Sequence, residues 1–209
     1  MEPKAIGLRA VCLGIGYLFG SFLTAEPVAR VTTGKGVAEI GSGNPGMANV
    51  MEHIGKGAGA VVLAGDALKT ALAVLLCGLE IGPHIGSAAM LYAGLGAVLG
   101  HNFPAWRKFH GGKGVAVTCV WLMLYLPVGG TLACMGGGAA VLLTGYLPLG
   151  AVLIPALAVP AAFWQRGAEG GIVLLLALAI MLSRHKNGLR RIVSGREPRY
   201  FKGRRGTGG

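Results

Sequence analysis

Two glycine-rich segments carry the residue types best suited to hold an anion. The first is Gly41-Ser42-Gly43-Asn44-Pro45-Gly46. Successive backbone N–H groups in such a turn can form an anion-binding nest, and Ser42 and Asn44 add side-chain hydrogen bonds. The competing reading is a flexible turn. Gly55-Lys56-Gly57 opens the next apolar stretch, where a helix N-terminus favours anions; a plain basic loop end is the alternative. The second segment is Gly111-Gly112-Lys113-Gly114. Glycines let backbone amides approach a phosphate closely, and Lys113 supplies a point charge. Here the alternative is a lysine that only marks the cytoplasmic side of a membrane. No G-x-x-x-x-G-K-[ST] pattern is present, so a nucleotide P-loop is not supported.

Further candidates flank these loops. His101-Asn102-Phe103-Pro104 precedes the second segment. Asp66 and Lys69 lie three apart within an apolar stretch and share one helix face. Charges inside a span face the bundle interior or an aqueous cavity, so this is either a mutual ion pair or a functional pair. His185, Asn187, Arg190 and Arg191 follow the last apolar stretch. His185 can titrate near neutral pH, whereas the arginines are also explained as an anchor on anionic lipid.

The elements that must position these residues are apolar helices. Of the 209 residues, 53% are apolar and 13% charged, about half the charge density of a soluble domain. That excludes an ordinary cytosolic enzyme and a disordered chain, and the net charge of +11 does not read as a nucleic-acid footprint. The first apolar stretch, from Ala10 to Ala25, ends in a weak cleavage site and is followed by others, so it reads as an uncleaved span. Residues 57–79, 81–100, 114–165 and 170–183 follow. A span needs about 20 residues. Turn signals at 127–130 and 145–148 divide the long window into three. Basic residues concentrate in 31–56, 101–113 and 184–209, and Lys and Arg stay on the cytoplasmic side. Only an even number of spans between residue 113 and the tail keeps all three segments together. The expectation is an all-α polytopic membrane protein of about seven helices, N-terminus out and C-terminus in. It comprises one transmembrane domain over 1–183, with cytoplasmic loops 31–56 and 101–113, and a basic cytoplasmic tail over 184–209.

Gly16-x-x-x-Gly20 and Gly96-x-x-x-Gly100 have the small-xxx-small spacing of closely packed membrane helices. They predict tight bundle packing, with homodimerisation through one such face as the alternative. The four cysteines lie singly with no C-x-x-C pair, so neither a metal site nor a disulfide framework is expected.

The order of motifs is more specific than any one of them. It runs GSGN-x-G-x-x-N (Gly41 to Asn49), G-K (Gly55-Lys56), D-x-x-K (Asp66 to Lys69), GH-x-F-P (Gly100 to Pro104), GGKGVA (Gly111 to Ala116), then R-H and G-R-E (Gly195 to Glu197). This order resembles the bacterial acyl-phosphate:glycerol-3-phosphate acyltransferase family, from Gly20-Ser21 to Glu197. The resemblance implies a seven-helix protein of the bacterial inner membrane whose signature segments are cytoplasmic. It implies transfer of a fatty acyl group from acyl phosphate to the sn-1 hydroxyl of glycerol 3-phosphate, without acyl-CoA, metal or other cofactor. The products are lysophosphatidic acid and phosphate, and a soluble acyl-carrier-protein:phosphate acyltransferase supplies the donor. On this resemblance Ser42, Lys113 and His185 are the catalytic candidates. Gly41, Gly43, Asn44, Asn49, Lys56, His101, Gly111, Gly112 and Gly114 are the substrate-binding ones.

The chain also departs from the family pattern. Ala48 stands where the family usually has Thr, Glu52 where it has Arg, and Thr70 where it has Gly. His185 is kept, but Gly188 occupies the usual Asn position, with Asn187 one place early. A family serine region appears here as Pro148-Leu149-Gly150-Ala151. In a continuous helix Glu52 and Lys56 would be spaced for an ion pair. The alternative functions at this level are a weak or inactive paralogue that binds lipid or acyl phosphate, and a small anion transporter.

Overall fold

The computed structural model describes residues 2–200. Residues 201–209 of the expected basic tail, with Lys202, Arg204 and Arg205, lie outside the described residues. Among those described, all regular structure is helical: α1 (Pro3–Ser21), α2 (Ala25–Thr33), α3 (Met47–His53), α4 (Lys56–Glu80), α5 (Gly82–Ile85), α6 (Ala88–Asn102), α7 (Val115–Tyr125), α8 (Pro127–Thr144) and α9 (Leu147–Val193). Single 3₁₀ turns lie at Val37–Glu39 and Ala105–Arg107. Four segments are long and apolar enough to cross a membrane: Pro3–Thr33, Lys56–Glu80, Pro127–Thr144 and Leu147–Val193. Large apolar side chains on them, such as Leu18, Leu68, Leu79, Leu143 and Ile172, are exposed. So much open apolar surface suits lipid rather than water. The chain divides into two compact units, Met1–Tyr125 and Leu126–Gly209.

The first unit is organised around α6, whose residues are nearly all buried. Its glycines set the approach of α1. A Cβ on Gly16 or Gly20 would collide with the backbone of Ala93 or Ala97 on α6. A Cβ on Gly96 or Gly100 would collide with the carbonyls of Leu13 or Tyr17 on α1. The two small-xxx-small motifs therefore face each other within one chain. That corrects the homodimer alternative, because both faces are already occupied. Gly20→Val would drive two methyls into a backbone that has no side-chain freedom to yield. Overpacking of this kind should cost about 3 kcal/mol or more, read as a large drop in thermal unfolding temperature in detergent.

α4 packs against α1, α3, α6 and α7 and carries both charged positions of the span. It starts abruptly because Gly55, at φ 147, separates it from α3. Glu52 and Lys56 are thus on different helices, and among the described residues Glu52 has no ion-pair partner, contrary to the pairing that a continuous helix would allow.

In the second unit α8 and α9 pack through Gly137 and Gly150, where a Cβ on either would run into the other's carbonyl. The first break expected in the long apolar window falls at Leu126, and Pro127 is the first residue of α8, where its missing N–H costs nothing. The second is at Gly145-Tyr146. α9 is interrupted at Gly167, whose φ/ψ of 72/−168 are not helical. Its later stretch continues through His185 to Val193, so residues 184–193 of the expected tail are helical.

Candidate functional site

The Gly41–Asn44 loop is closed by one side chain. Asn49, on α3 and 5% exposed, accepts at Oδ1 from the Ser42 backbone N–H (2.9 Å) and from the Ser42 hydroxyl (3.1 Å). Its Nδ2 donates to the Ile40 carbonyl at 2.9 Å. Gly41 sits at φ 52, and a Cβ there would strike the His53 ring and Asn49, so only glycine fits. The Gly43 N–H donates back to Ile40 at 2.9 Å. With its proton committed to Asn49, the exposed Ser42 Oγ offers lone pairs outward. The loop is therefore a fixed turn and not a flexible one. Lys56, first residue of α4, is exposed.

The Gly111–Gly114 loop folds back onto the end of α6. The N–H of Gly111 donates to the Asn102 carbonyl at 3.1 Å, and that of Gly112 to the His101 carbonyl at 2.9 Å. Gly114, at φ 77, then opens α7, accepting from the Thr118 N–H at 2.9 Å. Gly111, Gly112 and Gly114 are buried, while Lys113 between them is exposed. Beside Gly114 lies the Asn102 amide. It is fully buried, and neither of its polar atoms has a hydrogen-bond partner. Such orphans call for an explanation, and an amide at a helix N-terminus next to a lysine is suited to an anion.

His101 is the link between this loop and α4. Its Nδ1 lies 3.0 Å from Lys69 Nζ and 3.8 Å from Asp66 Oδ1. Lys69 and Asp66 form an ion pair at 2.7 Å. The pair is also tied to the α1–α2 junction, because Lys69 donates to the Phe22 carbonyl at 2.6 Å and Thr24 donates to Asp66 at 3.3 Å. α4 is therefore the common support of the first unit's candidates. α3, with Asn49, packs against its beginning, and its middle holds His101.

In the second unit, His185 is 4% exposed, with Nδ1 3.0 Å from the Met181 carbonyl one turn earlier. Gly188 packs against Pro148 at the start of α9. Asn187 is exposed. Arg191 pairs with Glu197 at 2.6 Å, which turns the chain after α9.

Sequence reasoning passed over the side chains that pin the second loop. The Tyr17 hydroxyl donates to the Phe103 carbonyl (2.8 Å) and accepts from the Ala105 N–H (3.0 Å). Trp106 Nε1 donates to the Ser21 carbonyl at 2.8 Å. Glu26 spans Arg30 (2.8 Å) and Arg107 (3.5 Å). Apart from Glu26–Arg30, an i,i+4 pair within α2, each contact joins residues far apart in sequence, so spacing alone carried no signal for them. The orphaned Asn102 was within the GH-x-F-P motif, but at its variable position.

A bundle of apolar helices with glycine loops at the helix ends defines an integral membrane protein. A family model described as glycerol-3-phosphate acyltransferase matches residues 10–195, and the chain belongs to that family. It is similar to a Bradyrhizobium sp. (strain BTAi1) protein named glycerol-3-phosphate acyltransferase, at 39% identity over 94% of this chain and 96% of the relative. It is also similar to glycerol-3-phosphate acyltransferase 1 of Lactobacillus johnsonii, at 35% identity over 90% of this chain and 91% of the relative. Its fold matches the crystal structure of PlsY (YgiH), an integral membrane glycerol 3-phosphate acyltransferase, in the glycerol 3-phosphate form. The TM-score is 0.77 and the identity 28%, over 94% of this chain and 95% of the other. The lysophosphatidic acid form matches with a TM-score of 0.75.

Proposed function

We propose that this protein transfers a fatty acyl group from acyl phosphate to the sn-1 hydroxyl of glycerol 3-phosphate at the cytoplasmic face of a bacterial cell membrane. Family membership supports the acyltransferase reaction. The observation that carries the phosphate chemistry is the Gly111–Gly114 turn, folded onto α6 with Lys113 outward and the orphaned Asn102 amide beside it. In the reaction, the glycerol oxygen bonds to the acyl carbon and the acyl–phosphate bond breaks. The hydroxyl proton ends, in the overall balance, on the released phosphate. An acyl phosphate is already activated, so positioning and charge stabilisation supply much of the rate. Lys113, beside the N-terminus of α7, neutralises charge on the donor phosphate. Ser42 Oγ, its own proton held by Asn49, accepts from the acceptor hydroxyl and orients it. Asn44 and Lys56 bind the glycerol phosphate, and His185 handles orientation or proton transfer. A soluble acyl-carrier-protein:phosphate acyltransferase supplies the donor. The decisive assay follows phosphate and lysophosphatidic acid release by purified protein given acyl phosphate and glycerol 3-phosphate. Transfer from acyl-CoA alone, or phosphate release independent of glycerol 3-phosphate, would refute the reading.

The departures at Ala48 and Glu52 make a graded prediction. The two lie four apart on α3 and share a stripe, adjacent to the one from which Asn49 and His53 close the Gly41 turn. An unpaired carboxylate near a phosphate dianion opposes binding. Ala48→Thr with Glu52→Arg should lower KM for glycerol 3-phosphate with little change in kcat. Loss of activity in the double variant would point to a different acceptor, with the site rebuilt around Glu52.

A further inference from the structure

Burying an ion pair in a membrane span is costly. A pair that served only its own helix would be replaceable by two apolar residues. Asp66 and Lys69 are 3% and 6% exposed, and their contacts reach beyond α4. Lys69 Nζ has three acceptors within reach: Asp66 Oδ1 at 2.7 Å, the Phe22 carbonyl at 2.6 Å and His101 Nδ1 at 3.0 Å. An ammonium has three protons and no lone pair. As the ion-pair partner of the Asp66 carboxylate at 2.7 Å, the Lys69 ammonium has one acceptor for each proton, and Nδ1 of His101 is the third. The ring is then neutral and its proton sits on Nε2. That edge of the ring faces the glycine loop, because a Cβ on Gly112 would collide with Nε2. Asp66 is itself held, by the Thr24 hydroxyl at 3.3 Å and through its backbone carbonyl by the Thr70 hydroxyl at 2.7 Å.

We propose that Asp66 and Lys69 are positioning residues for acyl transfer, which fix His101 as the Nε2–H tautomer and aim that proton at the Gly111–Gly114 loop where the donor phosphate binds. The kinetic consequence rests on the function proposed above; the tautomer does not. Nitrogen-15 spectra of histidine-labelled protein in detergent at neutral pH read the tautomer directly, with the His101 signals assigned by their loss in His101→Gln. The expected spectrum has the proton on Nε2. A proton on Nδ1, or averaging between the two nitrogens, overturns the proposal. Lys69→Met keeps the apolar stem and removes the donor. It should give averaged tautomers and a fall in kcat/KM for acyl phosphate of roughly 10- to 100-fold, with KM for glycerol 3-phosphate unchanged. Full turnover in a variant whose tautomer has changed overturns the positioning role. Should Lys69→Met fail to fold, Lys69→Leu, which also removes the donor, provides the same comparison, and the wild-type spectrum still decides the tautomer. A wild-type protein with no acyl transfer would remove the function while leaving the tautomer to its own spectrum.

Discussion

Lys113→Ala should lower kcat by on the order of 10²–10³ while leaving the protein inserted and folded. The separation of the two effects follows from where the residue sits. The loop's three glycines are buried, and the N–H groups of Gly111 and Gly112 are spent on the carbonyls of Asn102 and His101 at the end of α6. Backbone bonds and glycine thus hold the loop's conformation. Lys113 itself is exposed. What it brings is a positive charge beside the N-terminus of α7. In the role proposed for it, such a charge stabilises developing charge without reorganisation at the moment of reaction. Kinetics of the purified variant, with thermal unfolding as the control, check the expectation. Near-full turnover would reduce Lys113 to a marker of the cytoplasmic side. Lys113→Arg should be impaired as well, since a planar guanidinium does not occupy the position of a compact ammonium.

What the sequence disclosed is what short-range pattern can disclose. The apolar stretches and the breaks near Pro127 and Gly145 are visible because charge-free runs and turn residues are local. The two glycine loops are visible as motifs, and Asp66 with Lys69 as one helix face. What joins these pieces is not local. Lys69 meets His101 across 32 residues, Tyr17 meets Ala105 across 88, and Glu26 reaches Arg107. No spacing rule predicts such pairs, because each joins elements far apart in sequence and is set by helix packing. The Glu52–Lys56 pairing failed for the opposite reason. Its spacing was right for a helix, but Gly55 at φ 147 ends that helix between the two residues. At residue 184 the change from apolar to basic composition does not stop α9, whose backbone bonds continue to Val193.

Asn49→Ala should be the most damaging change in the first loop. Three hydrogen bonds end on this one buried amide, and alanine leaves the Ser42 N–H to find water or go without, while the Ile40 carbonyl keeps only its bond from the Gly43 N–H. Each group left unsatisfied costs about 1–3 kcal/mol if it stays buried. The loop escapes that cost by opening, and an open loop no longer holds Ser42 Oγ in place. A displacement near 1 Å at a positioning group is enough for roughly 100-fold in rate, so kcat/KM for glycerol 3-phosphate should fall by about that factor. Ser42→Ala makes the informative comparison, because it deletes the hydroxyl but keeps the backbone N–H on Asn49, and with it the loop. If the clamp matters in its own right, Asn49→Ala loses more activity than Ser42→Ala and also more thermal stability. Equal losses in the two variants, at equal stability, would mean that Asn49 acts only through the Ser42 hydroxyl. Retained turnover in Asn49→Ala would mean that the Gly41–Asn44 loop does not hold the acceptor.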